Sequence, residues 1–424
     1  MNNYSLLWLL LLPVAAASGW WVAKREERRK QEESTLGLYP DYFKGLNYLI
    51  NEQPDKAIEV FVKMLEVDTE TVETHFALGS LFRRRGEVDR AIRIHQNLIA
   101  RPTLTQEQRN QALLELGEDY LRAGWFDRAE SMFLKLIETE GATSDILSSA
   151  TCASQVVPAL RSLCDIYQQE REWDKAINVA QKLETATGKT LSNIIAQYYC
   201  ELAEQARQRA APARPALTAL VHPWTSHDMD EANKMIRCAL TSDPKCVRAS
   251  ILQGDIDMMS GHCTSALRAY KNVEEQDADY LAEVIPRLVD CYNKLGNPEE
   301  VTGYLKKILQ KYAGVAPLLA FAELLRDQQG EQDAAVFVAE HLNKQPTLSG
   351  LACLIDLYLV GSEGKIREHL LVLNTAIKKL LQEYPLYQCE QCGFSGKSLH
   401  WQCPGCKKWS TLKPVHGLDE VRTE

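Results

Sequence analysis

Cys389-Glu-Gln-Cys392 and Cys403-Pro-Gly-Cys406 are two C-x-x-C hooks with ten residues between them, and they hold four of the chain's twelve cysteines. Two thiolates two residues apart can grip one metal ion from a single tight turn, and two such turns complete a tetrahedral four-sulfur shell. Gly393 follows the first hook, where the knuckle needs a residue tolerant of positive φ, and Pro404 stiffens the second. Four thiolates close the shell and leave no position for water or substrate, so the expected metal is structural. The competing reading of the same residues is a set of redox-active or disulfide-bonded pairs. His400 lies near the hooks, but four cysteines already satisfy the ion, so it is expected on the ribbon surface or in its packing. Trp401 and Trp409 flank the second hook and are expected to shield the thiolates from water.

Other chemistry is hard to find. Thr187-Gly188-Lys189-Thr190 looks like the end of a phosphate loop, but the glycine required earlier is Leu183, so no backbone nest for phosphate can form. The nine histidines are dispersed and no H-E-x-x-H occurs. No catalytic set emerges, and the reading is that of a protein that is not an enzyme. A net charge of −9 and a pI near 5.6 argue against a nucleic-acid binder. Arg83-Arg84-Arg85 reads as a solvated helix end. Cys152, Cys164, Cys200, Cys238, Cys246, Cys263, Cys291 and Cys353 show no framework spacing, as expected of reduced thiols in a cytosolic body.

The elements that position the hooks come from one repeated unit. Small residues suited to close helix crossings recur at Ala57, Ala91, Ala129, Ala176, Ala232, Ala266, Val301 and Ala335, in steps of 34, 38, 47, 56, 34, 35 and 34. Thirty-four is the period of the tetratricopeptide repeat, and the longer steps are that period plus an insertion. Gly79, Gly117, Cys164 and Gly254 lie twelve residues before their alanines, and Phe82, Tyr120 and Tyr167 follow three residues later. Phe61, Phe133 and Tyr270 come four residues after the alanine, while Gly86, Gly124, Gly261, Gly296 and Gly330 mark the turns. The expected fold is an all-α tetratricopeptide-repeat superhelix of about eight to nine repeats over 39–383. Asn47, His75, Arg83, Asn110 and Arg161 are possible contacts of its groove. Insertions are expected at 101–108, 141–156 and 208–228, the last with three prolines and no capacity to be one helix.

At the other end, Ser5 to Ala23 is nineteen residues without a charge. As a helix this run spans roughly 28 Å, close to a bilayer's hydrocarbon thickness. Lys24, Arg25, Arg28, Arg29 and Lys30 follow it and no Lys or Arg precedes it. The pattern predicts a retained single-pass anchor over 1–23, a charged linker over 24–38 and a cytoplasmic body, rather than a cleaved signal peptide. The metal ribbon occupies 384–424.

These three parts together resemble the lipopolysaccharide assembly protein B family of Gram-negative bacteria along essentially the whole chain. The stretches that carry the likeness are LLLLPVAAASGWWVAKR, LFRRRGEVDRAIRIHQNL and YQCEQCGFSGKSLHWQCPGCKKWSTLKPVHGLD. The resemblance implies a rubredoxin-like ribbon in which Cys389, Cys392, Cys403 and Cys406 bind one iron or zinc ion. Rubredoxin knuckles usually end in glycine, and Lys407 stands at the second of those places, which leaves the choice of metal open. The insertion at 208–228 is longer than a plain family repeat. The implied function is that of an inner-membrane regulator acting with the AAA+ protease FtsH to promote proteolysis of the deacetylase LpxC, balancing lipopolysaccharide with phospholipid. Lipopolysaccharide transport components and an inner-membrane sensor that antagonises it are further implied partners. The alternative is a scaffold assembling lipopolysaccharide synthesis and transport proteins at the inner membrane.

Overall fold

The computed structural model describes residue 24 and residues 43–48, 50–51, 53–67, 72–141, 150–210, 226–312 and 314–415. The expected anchor over 1–23 lies outside them, as do residues 25–38 of the linker. Among the described residues, no helix is long and apolar enough to cross a membrane. Two compact units divide the chain, one of residues 1–172 with 182–188, the other of 173–181 with 189–424.

The first unit is built on helices α1 (Pro54–Val67), α2 (Val72–Arg85), α3 (Val88–Ile99), α4 (Gln106–Arg122), α5 (Phe126–Gly141) and α6 (Ala150–Glu170). Helix α7 (Trp173–Thr187) has residues in both units. The second unit continues with α8 (Ser192–Ala210), α9 (Ser226–Ser242), α10 (Val247–Met259) and α11 (Cys263–Gln276). After a 3-10 turn at Ala278–Tyr280 come α12 (Leu281–Leu295), α13 (Pro298–Lys311), α14 (Ala316–Gln329), α15 (Glu331–Leu342), α16 (Leu348–Val360) and α17 (Gly364–Glu383). Three short strands follow: β1 (Tyr387–Cys389), β2 (Ser395–Gly396) and β3 (Leu412–Pro414).

The small-residue stripe is buried between the helices. Ala57, Ala91, Ala129, Ala176, Ala232, Ala266 and Val301 are fully buried and Ala335 nearly so. Around them each unit repeats one device, an aromatic ring seated on a glycine. In the first unit a β-carbon on Gly117 would come within 2.5 Å of the Phe133 ring, and one on Gly45 within 2.6 Å of Phe61. In the second unit Gly254 would meet Tyr270 at 2.3 Å. Only a missing side chain lets the ring and the opposite backbone approach this closely. His95 takes the aromatic's place over Gly79.

The turns obey the same economy. Gly86, Gly124, Gly261, Gly296 and Gly330 all have φ between 74° and 100°, a conformation that ends one helix and starts its partner. Arg171 fills the corresponding place between α6 and α7 with φ 59°, without a glycine's freedom. Helix α4 starts at a capping box, in which the Thr105 hydroxyl accepts from the Gln108 amide and the Gln108 side chain accepts from the Thr105 amide.

Two expected insertions are shorter than the spacing implied. Residues 150–156 belong to α6, which runs for 21 residues and absorbs Pro158, so the interruption there is partly extra helix. Residues 208–210 end α8 and 226–228 begin α9.

Replacing Gly117 with Ala should cost about 1–3 kcal/mol through overpacking against Phe133. The same change at Gly303 in α13, where a β-carbon meets nothing within 4 Å, should instead stabilise by up to about 1 kcal/mol. Urea unfolding of the two variants beside the parent checks the opposite signs.

Candidate metal centre and its helical seat

The strands form one antiparallel sheet in the order β2-β1-β3, with Cys389 opposite Leu412. This sheet presents the first hook, and the two hooks share one backbone pattern. The Cys389 amide donates to Phe394 O (2.7 Å) and the Gly393 amide to Cys389 O (2.9 Å). In the second hook the Cys403 amide donates to Lys408 O (2.8 Å) and the Lys407 amide to Cys403 O (2.9 Å). Both knuckles turn through the left-handed region, Gly393 at φ 74° and Lys407 at φ 59°. Lysine thus adopts the glycine conformation that the fold demands, at a steric cost that glycine does not carry.

All four sulfurs lie within 4.8 Å of one another. Cys389 Sγ is 3.8 Å from Cys406 Sγ, and Cys392 Sγ is 3.6 Å from Cys403 Sγ. A tetrahedron with metal–sulfur bonds of about 2.3 Å has edges of about 3.8 Å, so the spacing fits a zinc or iron ion. Cys389 and Cys403 are buried, Cys406 half-buried and Cys392 exposed. Burial works against ionisation of Cys389. The Thr411 hydroxyl and the Cys392 and Gln391 amides outweigh it and hold its thiol down at about 6. A β-carbon on Gly405 would sit 3.2 Å from Cys392 Sγ, so the second hook has little room for a larger residue.

Tyr387, Phe394 and Leu399 pack around Cys389, Cys403 and Leu412 and screen the ligands. The expected shield of Trp401 and Trp409 is absent because both rings are spent elsewhere. Within the second unit, Trp401 lies against Tyr280 with ring centroids 5.3 Å apart. Trp409 meets Trp173 and Tyr198 edge-on at 6.2 and 6.0 Å. Hydrogen bonds frame this seam. The Tyr280 hydroxyl donates to Leu412 O (2.9 Å), and Gln197 Nε2 donates to Ser410 Oγ (3.0 Å). Lys413 pairs with Asp277 and, at 3.4 Å, with Asp279, while the Tyr387 hydroxyl binds Glu283. His400 is exposed beside Ser398.

The candidate groove residues differ in burial and in their partners. Asn47 and Arg161 are exposed, with Asn47 accepting from Asn51, and His75 contacts Arg101 at 2.9 Å. Asn110 is buried and hydrogen-bonded to Gln106 and Thr139. Arg83 is the hub of an internal network in the first unit. Its guanidinium reaches Glu115 at 2.6 Å, Glu118 at 2.9 Å and the fully buried Asp119 at 2.8 Å. The other Asp119 oxygen lies 2.5 Å from His95 Nδ1. Sequence reasoning missed this network and the seat residues Gln197, Tyr280 and Lys413. A histidine at an aromatic position of the repeat was the available signal for the first.

Residues 74–109 match the tetratricopeptide repeat model and residues 387–414 the rubredoxin metal binding domain. Fold and site together define a tetratricopeptide-repeat protein whose metal ribbon is seated on its own helices. Lipopolysaccharide assembly protein B of Escherichia coli K12 is 37% identical over 381 residues, covering 89% of this chain and 90% of that protein. The protein of the same name from Haemophilus influenzae is 32% identical over 385 residues, covering 88% and 89%. The chain belongs to the lipopolysaccharide assembly protein B family. Its four ribbon thiolates hold one zinc or iron ion, a closed structural site.

Cys403→Ser should strip most of the metal and expose Trp401 and Trp409, because ligand binding and ribbon folding are one process. Elemental analysis and tryptophan fluorescence read both, and full metal content in the variant would rule out a four-thiolate site. Lys407→Gly should relieve about 1 kcal/mol of backbone strain and slow metal loss to a chelator. Arg83→Met should cost about 3 kcal/mol by leaving Asp119 buried without its cation, measured as a shift in the urea midpoint.

Proposed function

We propose that this protein is a non-enzymatic adaptor in lipopolysaccharide assembly, anchored in the bacterial inner membrane with its body in the cytoplasm. It brings the deacetylase LpxC to the membrane protease FtsH and so sets the rate of lipid A synthesis. The observation that carries this reading is family membership over nearly the full length, repeats and ribbon included. Physical features support it. Stacked helix pairs offer extended surface for a protein partner, and the closed four-thiolate shell offers no position for substrate. The uncharged run at 5–23 followed by basic residues supports tethering, which raises the effective concentration of adaptor around a membrane-bound protease. The lipopolysaccharide transport components and the antagonising membrane sensor are further proposed partners.

The test is the half-life of LpxC after translation is blocked, with the protein present, depleted, or replaced by its Cys403→Ser variant. Depletion should lengthen the half-life, and the variant should fail to restore it. An unchanged half-life on depletion would favour the assembly scaffold instead.

A further inference from the structure

Behind the seat of the ribbon two cysteines face each other. Cys200 lies on α8, and Cys246 is the residue that opens α10. Their sulfurs are 3.9 Å apart, and both thiols are free and buried in one core. A disulfide has a sulfur–sulfur distance of about 2.05 Å, so closure needs a relative movement of about 2 Å.

The pair is asymmetric. Cys246 stands at the N-cap position of a 13-residue helix without a side-chain cap hydrogen bond, where the helix dipole favours a negative sulfur. With the Cys200 thiol as donor the bond favours a negative Cys246 sulfur; the Arg248 guanidinium adds to this although it is paired with Glu201 at 2.8 Å, and Asp243 opposes it. The hydrogen bond from Cys200 lowers Cys246, while burial pushes Cys200 well up. Elsewhere burial pushes Cys164 up to about 12 and Cys291 to about 11, which leaves them unreactive. Gln197 Nε2 stands 3.4 Å from Cys246 Sγ and 3.0 Å from Ser410 Oγ, so one side chain separates the pair from the ribbon.

We infer that Cys200 and Cys246 are a modification site, a dithiol that a peroxide converts to a reversible disulfide, with Cys246 attacking and Cys200 resolving. The Cys246 thiolate attacks one oxygen of hydrogen peroxide. A sulfur–oxygen bond forms, the oxygen–oxygen bond breaks, and hydroxide leaves to be protonated to water. The Cys200 sulfur then attacks the sulfenic sulfur of Cys246. The sulfur–sulfur bond forms, the sulfur–oxygen bond breaks, and hydroxide leaves with the Cys200 proton as a second water. Two thiols lose two electrons, and one peroxide becomes two waters. This inference goes beyond the adaptor reading and does not depend on it.

The test uses the purified full chain loaded with zinc and treated with hydrogen peroxide. Free thiols are alkylated, the protein is unfolded, and the peptides are mapped by mass spectrometry. A Cys200–Cys246 linked peptide is expected, reversed by dithiothreitol and formed at least about tenfold faster than Cys164 or Cys291 is oxidised. Retention of both as free thiols, or a rate no faster than those two, would overturn the inference. In Cys200→Ser, a sulfenic-acid trap should label position 246, whereas in Cys246→Ser position 200 should stay unlabelled. Labelling of Cys200 alone would overturn the assignment of roles. The linked peptide in the parent protein stands whether or not the variants fold.

Discussion

No helix pair in this chain can cover its own apolar faces, and most of the structure follows from that constraint. Each pair is stable only when its neighbours press close, and close approach needs small residues where the backbones cross. The rule has an instructive exception in the first unit. Where Gly117 receives Phe133, Gly79 receives His95, and a ring that must be hydrogen-bonded enters the core. Asp119 meets that demand at Nδ1, Arg83 meets the demand of Asp119, and Glu115 and Glu118 converge on the same guanidinium, so carboxylates outnumber the cation. Burial, with the neighbouring Glu115 and Asp119 charges, raises the Glu118 carboxyl against the pull of Arg83. One polar residue in an apolar slot has recruited four others.

The ribbon meets the opposite difficulty. Its buried core amounts to Cys389, Cys403 and Leu412, too little apolar surface to offset chain entropy. Metal–thiolate bonds supply what the core lacks, and the seat on the helices supplies the rest. Its tryptophans serve that seat, while Tyr387, Phe394 and Leu399 pack against the buried Cys389 and Cys403. The ribbon is therefore a part of the second unit's packing rather than an appendage hanging from it.

Much of this was legible in the residues. The alanine stripe, the turn glycines and the two cysteine hooks depend on local spacing, and local spacing survives in a sequence. Directions across the fold do not. Trp401 and Trp409 sit beside the second hook in the chain, yet their rings turn toward Tyr280 and Trp173, which no short-range pattern encodes. Arg83 read as part of a solvated basic run because its acceptors lie 32 to 36 residues away. Arg171 was invisible as a left-handed residue, since nothing about its type announces positive φ, whereas Lys407 is marked by standing where the ribbon's knuckle usually carries glycine. Proximity within the repeat was readable, and pairing between distant elements was not.

The seat of the ribbon has a temporal meaning as well. Gln197 and Ser410 are 213 residues apart, and Tyr280 and Leu412 are 132 apart. At ribosomal rates of about 5–20 residues per second, the helices carrying Gln197 are made roughly 10–40 seconds before their partner exists. Until then Trp173 and Tyr198, and later Tyr280, lack the ribbon contacts that cover them in the finished fold. A nascent chain in that state is a natural client for chaperones, and synthesis of the ribbon ends its vulnerability.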